Sequence, residues 1–324
     1  MTKEEVSELL NEFGNKSIAV VGDMIVDYYR ILKPKRLSPE APVVMFEPEK
    51  EEYKAGGASN VAENLYAMGA GNVNLVTVLG EDQHILLPKN SIWVEERSRL
   101  TTVKERIVTR RQQICRIDIQ SNTKICKATA MALFDKSKNA LLESDAIIFS
   151  DYDHGVCTID LIQPIMQLAK ERGIKTIVDS KAKDTLSKYK GATIALPNMD
   201  EARMMTKLDD FEDEDIAKFL LRTMNLDAAA ITLGPRGILL AMRDIEPQIF
   251  APLHENINNE VIDVTGAGDT VAAMVAAGVT LDMTYPQMLR LANVAAGIKV
   301  QKRGVDVATK EEIIAAIELN HIDI

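Results

Sequence analysis

Residues 263–270 read Asp-Val-Thr-Gly-Ala-Gly-Asp-Thr and run straight into a small-residue helical stretch at 271–278. Two glycines around an alanine let backbone N–H groups converge where a helix begins, and the helix dipole favours negative charge at that end. An anionic oxygen belongs in such a turn. Asp269 follows at once, so a carboxylate stands beside the anion pocket, placed to take a proton from a hydroxyl attacking a phosphorus atom. Gly266, Ala267 and Gly268 are therefore candidate anion-hole residues and Asp269 a candidate base. In the competing reading Asp269 caps the helix and the glycines only make the turn.

Working outward, short apolar runs at 17–21, 73–79, 146–149, 176–178, 193–196 and 229–233 read as buried parallel strands. Helical periodicity at 58–68, 159–172, 213–224, 285–302 and 310–319 alternates with them. The expected fold is α/β: a doubly wound, mostly parallel sheet with helices on both faces, whose ligands sit at the carboxyl ends of the strands. Two segment pairs, 27–33 with 43–47 and 103–109 with 113–119, instead show apolar/polar alternation and read as a small β-sheet lid. One domain spanning 1–324, with lid strands inserted at about 27–48 and 103–119, accounts for the whole pattern. A second copy covering the lid's apolar face and open edges would make a homodimer.

With 324 residues, 46% of them hydrophobic, the chain can bury a large core. Its net charge of −10 argues against a nucleic-acid partner. The first fifteen residues are charged and amphipathic, without the apolar core of a signal peptide, and no stretch reaches a membrane span. Cys115, Cys126 and Cys157 share no metal-type spacing and read as buried thiols in a reducing, cytoplasmic compartment.

Other motifs carry chemistry. Asp27 leaves the first strand region where a carboxylate can accept hydrogen bonds from two hydroxyls, while Asp23 is expected to brace the turn. Gly56 and Gly57 allow close backbone approach, and Asn60 on the following helical turn offers a donor and an acceptor to a polyol. A plain glycine turn before a helix remains the alternative. Asn198 and Glu201 are spaced to share one face towards magnesium-bound water, or equally to form a capping box. Thr232, Gly234 and Gly237 form a T-x-G-x-x-G turn suited to nucleotide phosphates. No Walker A motif and no protein-kinase motif set occurs, and no G-x-G-x-x-G follows the first strand, which excludes a dinucleotide oxidoreductase.

In order, these motifs run nearly the full length of the chain, and together they resemble the ribokinase-like (PfkB-type) sugar kinases. Within that family the chain is most similar to the heptose 7-phosphate kinases of ADP-heptose biosynthesis. That likeness rests on residues 36–43 (RLSPEAPV), 56–62 (GGASNVA), 110–118 (RRQQICRID), 150–155 (SDYDHG) and 179–181. The resemblance implies ATP and Mg2+ as cofactors and a sugar phosphate as substrate, phosphorylated at its anomeric hydroxyl. It implies Asp269 as base, residues 266–268 as anion hole, and Asp27, Gly56, Gly57 and Asn60 as sugar ligands. Asn198 and Glu201 would organise Mg2+ and phosphate, Thr232, Gly234 and Gly237 would line the ATP site, and Asn293 would lie near the adenine. Asp263 and Thr265 match positions that bind a monovalent cation such as K+ in many relatives.

A sugar already carrying a phosphate needs a cationic clamp. Arg106, Arg110, Arg111 and Lys181 are candidates, with Lys181 and Arg110 the preferred pair. His154 reads as a loop hydrogen-bonding residue. The chain departs from the family at 82–102, where a helix is shortened and interrupted by Pro88. No nucleotidyltransferase segment is present, so a later adenylylation is expected of a separate enzyme. Another sugar or sugar-phosphate kinase, acting on ribose, fructose 6-phosphate or a nucleoside, stays open, as does a nucleotide-binding relative without turnover.

Overall fold

Strand β1 (Ser17–Gly22) explains the sheet. Its apolar residues alternate between two cores: Ile18 and Val20 face one layer of helices, Ala19 and Val21 the other. A strand covered on both faces has no polar side, which is why it reads as an unbroken apolar run. The computed structural model describes residues 1–81, 87–110, 112–252 and 261–320. In it β1 runs parallel to β4 (Asn72–Leu79) and β8 (Ala146–Asp151). The parallel set continues through β5 (Ser91–Glu95), β9 (Lys175–Ser180), β10 (Ile194–Ala195) and β11 (Ala228–Thr232). Two antiparallel strands, β12 (Ile238–Met242) and β13 (Ile245–Phe250), complete a nine-stranded sheet in the order β13-β12-β11-β10-β9-β8-β1-β4-β5.

One face carries α2 (Ala58–Ala67), α8 (Ala267–Thr280) and α9 (Tyr285–Lys299), with α1 (Lys3–Glu12) and α10 (Lys310–Asn320) behind them. The other carries α3 (Lys127–Leu142), α4 (Ile159–Arg172) and α7 (Asp213–Thr223). Short helices α5 (Thr185–Lys188) and α6 (Met199–Thr206) follow β9 and β10. Helix α8 is apolar all round because it is enclosed: every residue from Asp269 to Gly278 is buried. Among the described residues no helix is long and apolar enough to cross a membrane.

The lid is a separate four-stranded sheet, ordered β3-β2-β6-β7, made of β2 (Met24–Leu37), β3 (Val44–Gly57), β6 (Thr102–Val108) and β7 (Gln113–Ile119). It is longer than the alternation suggested, since β3 runs on through the glycine pair directly into α2. Leu37, Val44, Met45, Ile117 and Ile119 of the lid remain exposed.

Two expectations are corrected. Residues 91–93, read as part of a shortened helix, form edge strand β5 on β4, whereas residues 82–86 lie outside the described part. Of the three cysteines only Cys157 is buried; Cys115 lies on the outermost lid strand and Cys126 at the N-terminus of α3, both exposed.

Candidate active site

Helix α8 starts at Gly266, whose φ of +83° suits a residue without a Cβ, and no side chain caps it. A Cβ there would also come within 2.8 Å of Asn60 Nδ2. Asp269, in the first turn, makes no capping bond to the helix end. Its Oδ2 accepts a hydrogen bond from Asn60 Nδ2 at 2.6 Å and its Oδ1 one from Tyr152 Oη at 2.7 Å, so the capping reading fails. The carboxylate is 3% exposed. Burial raises its pKa, and the bonds from Asn60 and Tyr152 pull the other way. The N–H of Ala267 is used within the turn, by Val264 O at 3.2 Å. The backbone N–H groups of Gly266 and Gly268 have no such partner among the described residues.

Two cavities meet at this turn. The first, about 340 Å³, lies between lid and sheet and is lined by Asp27, Lys104, Arg106, Tyr152, Lys181 and Asp269, with Asn198, Glu201 and Thr232 at its sheet end. The second, about 660 Å³, is more apolar and opens on the other side of the turn. Ile238, Val261, Val271, Ala296 and Val300 wall it, and Thr232, Gly234, Gly237 and Asn293 line it. Thr232, Val264 and Gly268 belong to both. A Cβ on Gly268 would meet no atom within 4 Å, so its bare backbone leaves the junction open to a ligand. An elongated ligand with an apolar ring and a polar tail could lie in the second cavity and present its tail to the first. The supporting positions stand at carboxyl ends of parallel strands: Asp151 and Ser180 end β8 and β9, and Thr232 ends β11.

The structure redistributes several expected roles. Arg110 does not line the cavity; it is exposed and ion-paired with Glu49 on the lid. Arg111 lies outside the described residues. Asn60 is buried and absent from the first cavity's lining, because its amide is committed to Asp269. Gly56 does not line it either: it packs against the Asp27 carboxylate, leaving no room for a Cβ, while Gly57 does reach the wall. Asp27 is ion-paired with Arg106 deep in the cavity. Asn198 and Glu201 form the capping box after all, Asn198 Oδ1 accepting from Glu201 N and Glu201 Oε2 from Asn198 N, both at 2.8 Å, yet both also face the cavity. Asn293 Nδ2 donates to Phe250 O at 2.8 Å and so pins the cavity rim to β13.

Asp263 lines neither cavity. Its Oδ1 accepts from Thr265 N and its Oδ2 from Gly304 N, both at 2.9 Å. Asp23 braces a neighbouring loop, accepting from the backbone N–H groups of Tyr152, His154 and Val156. His154 Nδ1 lies 3.0 Å from Asn122 Oδ1, a loop contact as read.

Four polar residues of the first cavity, Lys104, Arg116, Tyr152 and Asp179, were given no site role by the sequence, although the last three fall in segments quoted for the family likeness. Lys104 was legible in principle, being two residues from Arg106 on an alternating strand and hence on the same face. Lys181 Nζ lies 3.8 Å from the centroid of the Tyr152 ring and Lys104 Nζ 5.5 Å. Asp179 is pushed up to about 8 by burial and by Asp269 and Glu201 nearby, and Glu201 is raised chiefly by burial.

The pfkB family carbohydrate kinase model matches residues 15–312. The bifunctional protein HldE of Trichlorobacter lovleyi is 35% identical over 335 residues, covering 100% of this chain and 67% of that protein. HldE of Geobacter sulfurreducens is 35% identical over 333 residues, with 99% and 67% covered. The chain thus spans about two thirds of these relatives' length. Among solved structures, Arabidopsis thaliana ribokinase complexed with ribose and ATP superposes with a TM-score of 0.69 at 18% identity, covering 94% of this chain and 99% of that one. Escherichia coli phosphofructokinase-2 in complex with potassium gives 0.75 at 14% identity, covering 95% and 99%. Those two likenesses speak for the fold, and the family match for the chemistry: the chain belongs to the pfkB family of carbohydrate kinases, phosphotransferases that act on a sugar hydroxyl.

Proposed function

We propose that this sugar kinase transfers the γ-phosphoryl group of ATP to the anomeric hydroxyl of a heptose 7-phosphate, giving heptose 1,7-bisphosphate. The observation that carries the choice of an already phosphorylated sugar is the pair Lys104 and Lys181. Both line the first cavity, and among the described residues neither makes an ion pair. Carboxylates of the cavity act on both ammonium groups from a distance, but none closes onto either, which leaves their donors available to a phosphate. The likeness of residues 36–43 and 110–118 to heptose kinases, and the full-length match to HldE proteins, support the same sugar.

In this reading the sugar occupies the first cavity and the nucleotide the second, with the γ-phosphate at Gly268. Asp269 takes the proton from O1, O1 bonds to the γ-phosphorus, and the bond from that phosphorus to the bridging oxygen of ADP breaks. Desolvation makes Asp269 the better base, and Asn60 and Tyr152 aim it. The free N–H groups of Gly266 and Gly268 and the α8 dipole stabilise the spreading charge. Glu201 and Asp179 bring two carboxyl groups together at the sheet end, their pKa values raised in the absence of a cation, a donor set that would fit a hydrated Mg2+ better than a closed cage. That ion, when bound, supplies charge neutralisation on the phosphates.

The exposed apolar residues of the lid support a homodimer formed lid to lid, which sedimentation velocity addresses. The substrate is tested with a panel of sugars under coupled ADP detection. Heptose 7-phosphate should exceed ribose, fructose 6-phosphate and nucleosides in kcat/KM, and Lys104→Ala should raise its KM while leaving that of ATP unchanged. Preference for unphosphorylated ribose would sink the assignment.

A further inference from the structure

Lys299 is the last residue of α9, and its side chain is fully buried. Burying an ammonium group without partners costs several kcal/mol, so the fold must offer it compensating negative charge. Three sources converge. Its Nζ lies 3.3 Å from the backbone carbonyl of Asp263, the first residue of the catalytic turn segment. Burial lowers its pKa, with Lys302 acting in the same sense, and the carboxylates of Asp263, Asp306 and Asp269 oppose that by favouring the charged form. It also stands at the negative end of the α9 dipole. Its Cε comes within 3.5 Å of where a Cβ on Gly266 would stand, so the side chain passes directly beneath the anion turn.

This is the neighbourhood in which Asp263 and Thr265 suggest a monovalent cation. The residues there do not call for one. Both Asp263 carboxylate oxygens accept backbone N–H bonds, from Thr265 and Gly304, and the Asp263 carbonyl faces the lysine. Val300, next to Lys299, has its carbonyl engaged by the N–H groups of Ile262 and Asp263. The loop is therefore closed around an internal positive charge.

We infer that Lys299 is a built-in cation, doing for this chain what a bound monovalent metal ion would do: fixing residues 263–266 and placing one positive charge behind the anion turn. An ammonium is a compact point charge with three donors, able to replace one ion among carbonyl oxygens. It acts through the turn and does not touch substrate, so it is a positioning residue.

The inference rests on the catalytic reading of the turn, so its test has two arms. In the first, turnover of heptose 7-phosphate is measured in KCl and in choline chloride at equal ionic strength. Wild-type rates should be the same in both. Lys299→Ala should lose roughly tenfold or more in choline chloride, and KCl should restore part of the loss by filling the vacated space. In the second, thermal unfolding with ATP alone is followed in the same two salts. The wild-type midpoint should be indifferent to K+, and that of Lys299→Ala should rise with it. Activation of the wild type by K+, or a K+-specific rise in its unfolding midpoint, overturns the inference. Failure of every sugar to react would fell the substrate assignment, while the thermal arm would still decide the role of Lys299. If Lys299→Ala does not fold, the wild-type response to K+ decides alone.

Discussion

The side-chain amide of Asn60 donates to Oδ2 of Asp269 across 2.6 Å, tying the first turn of α2 to the first turn of α8. Asn60 is itself held by Asn64, whose Nδ2 donates to the Asn60 carbonyl at 2.9 Å, and Asn64 Oδ1 accepts from Thr270 Oγ1 at 2.8 Å. The proposed base is thus oriented by a buried network that spans both helices. A hydrogen bond to a charged group is worth about 1.5–3 kcal/mol, so Asn60→Ala should lower kcat by about 10- to 100-fold. The KM for ATP should stay near the wild-type value in steady-state kinetics. A large rise in the sugar KM with kcat intact would mean that Asn60 binds sugar instead.

Tyr152 Oη supports the other oxygen of Asp269 at 2.7 Å and favours the ionised carboxylate. Tyr152→Phe removes that bond and keeps the ring beside Lys181. The Asp269 pKa, already raised by burial, should rise further. Since a base works only when ionised, the acidic limb of the kcat/KM profile should move to higher pH. A pH–rate profile superimposable on the wild type would exclude this role.

Asp179 gives the apoprotein a distinctive pH response. The unfolded carboxyl titrates near 3.8, whereas the folded one is pushed up to about 8. Between those values the folded state binds more protons than the unfolded state, so stability falls as pH rises. Asp23, raised to about 6 by burial and Asp151, acts in the same sense up to that pH. His154, lowered by burial to about 4 from 6.5, opposes both below 6.5. From pH 6.5 to 8 the contribution of Asp179 is left exposed. Unfolding midpoints in EDTA should therefore decline over that interval, and Asp179→Asn should flatten the decline. A wild-type midpoint that rises there would contradict the assignment.

Much of the fold was legible because buried parallel strands write themselves as apolar runs. Ile18 to Val21 read as one block since each face has its own core. The lid was legible from its alternation, though its length was not, because the solvent-exposed halves of β2 and β3 carry many charges. The turn at the start of α8 was legible because only glycine serves at Gly266. What stayed hidden was side-chain partnership between distant segments. Nothing in the sequence says that Asn60 spends its amide on Asp269, or that Arg110 pairs with Glu49 outside the cavity. Those contacts depend on how α2 and the lid strands sit in space. Asn198 and Glu201 form the capping box and also line the first cavity, so the capping geometry does not exclude the magnesium role proposed for them.

The most direct test of the account is Asp269→Asn, assayed for turnover and for ATP binding. The amide keeps the shape of the carboxylate but cannot take the O1 proton. Turnover should fall by about 10²- to 10⁴-fold with the ATP dissociation constant nearly unchanged. A mutant that turns over sugar at the wild-type rate would show that Asp269 is not the base.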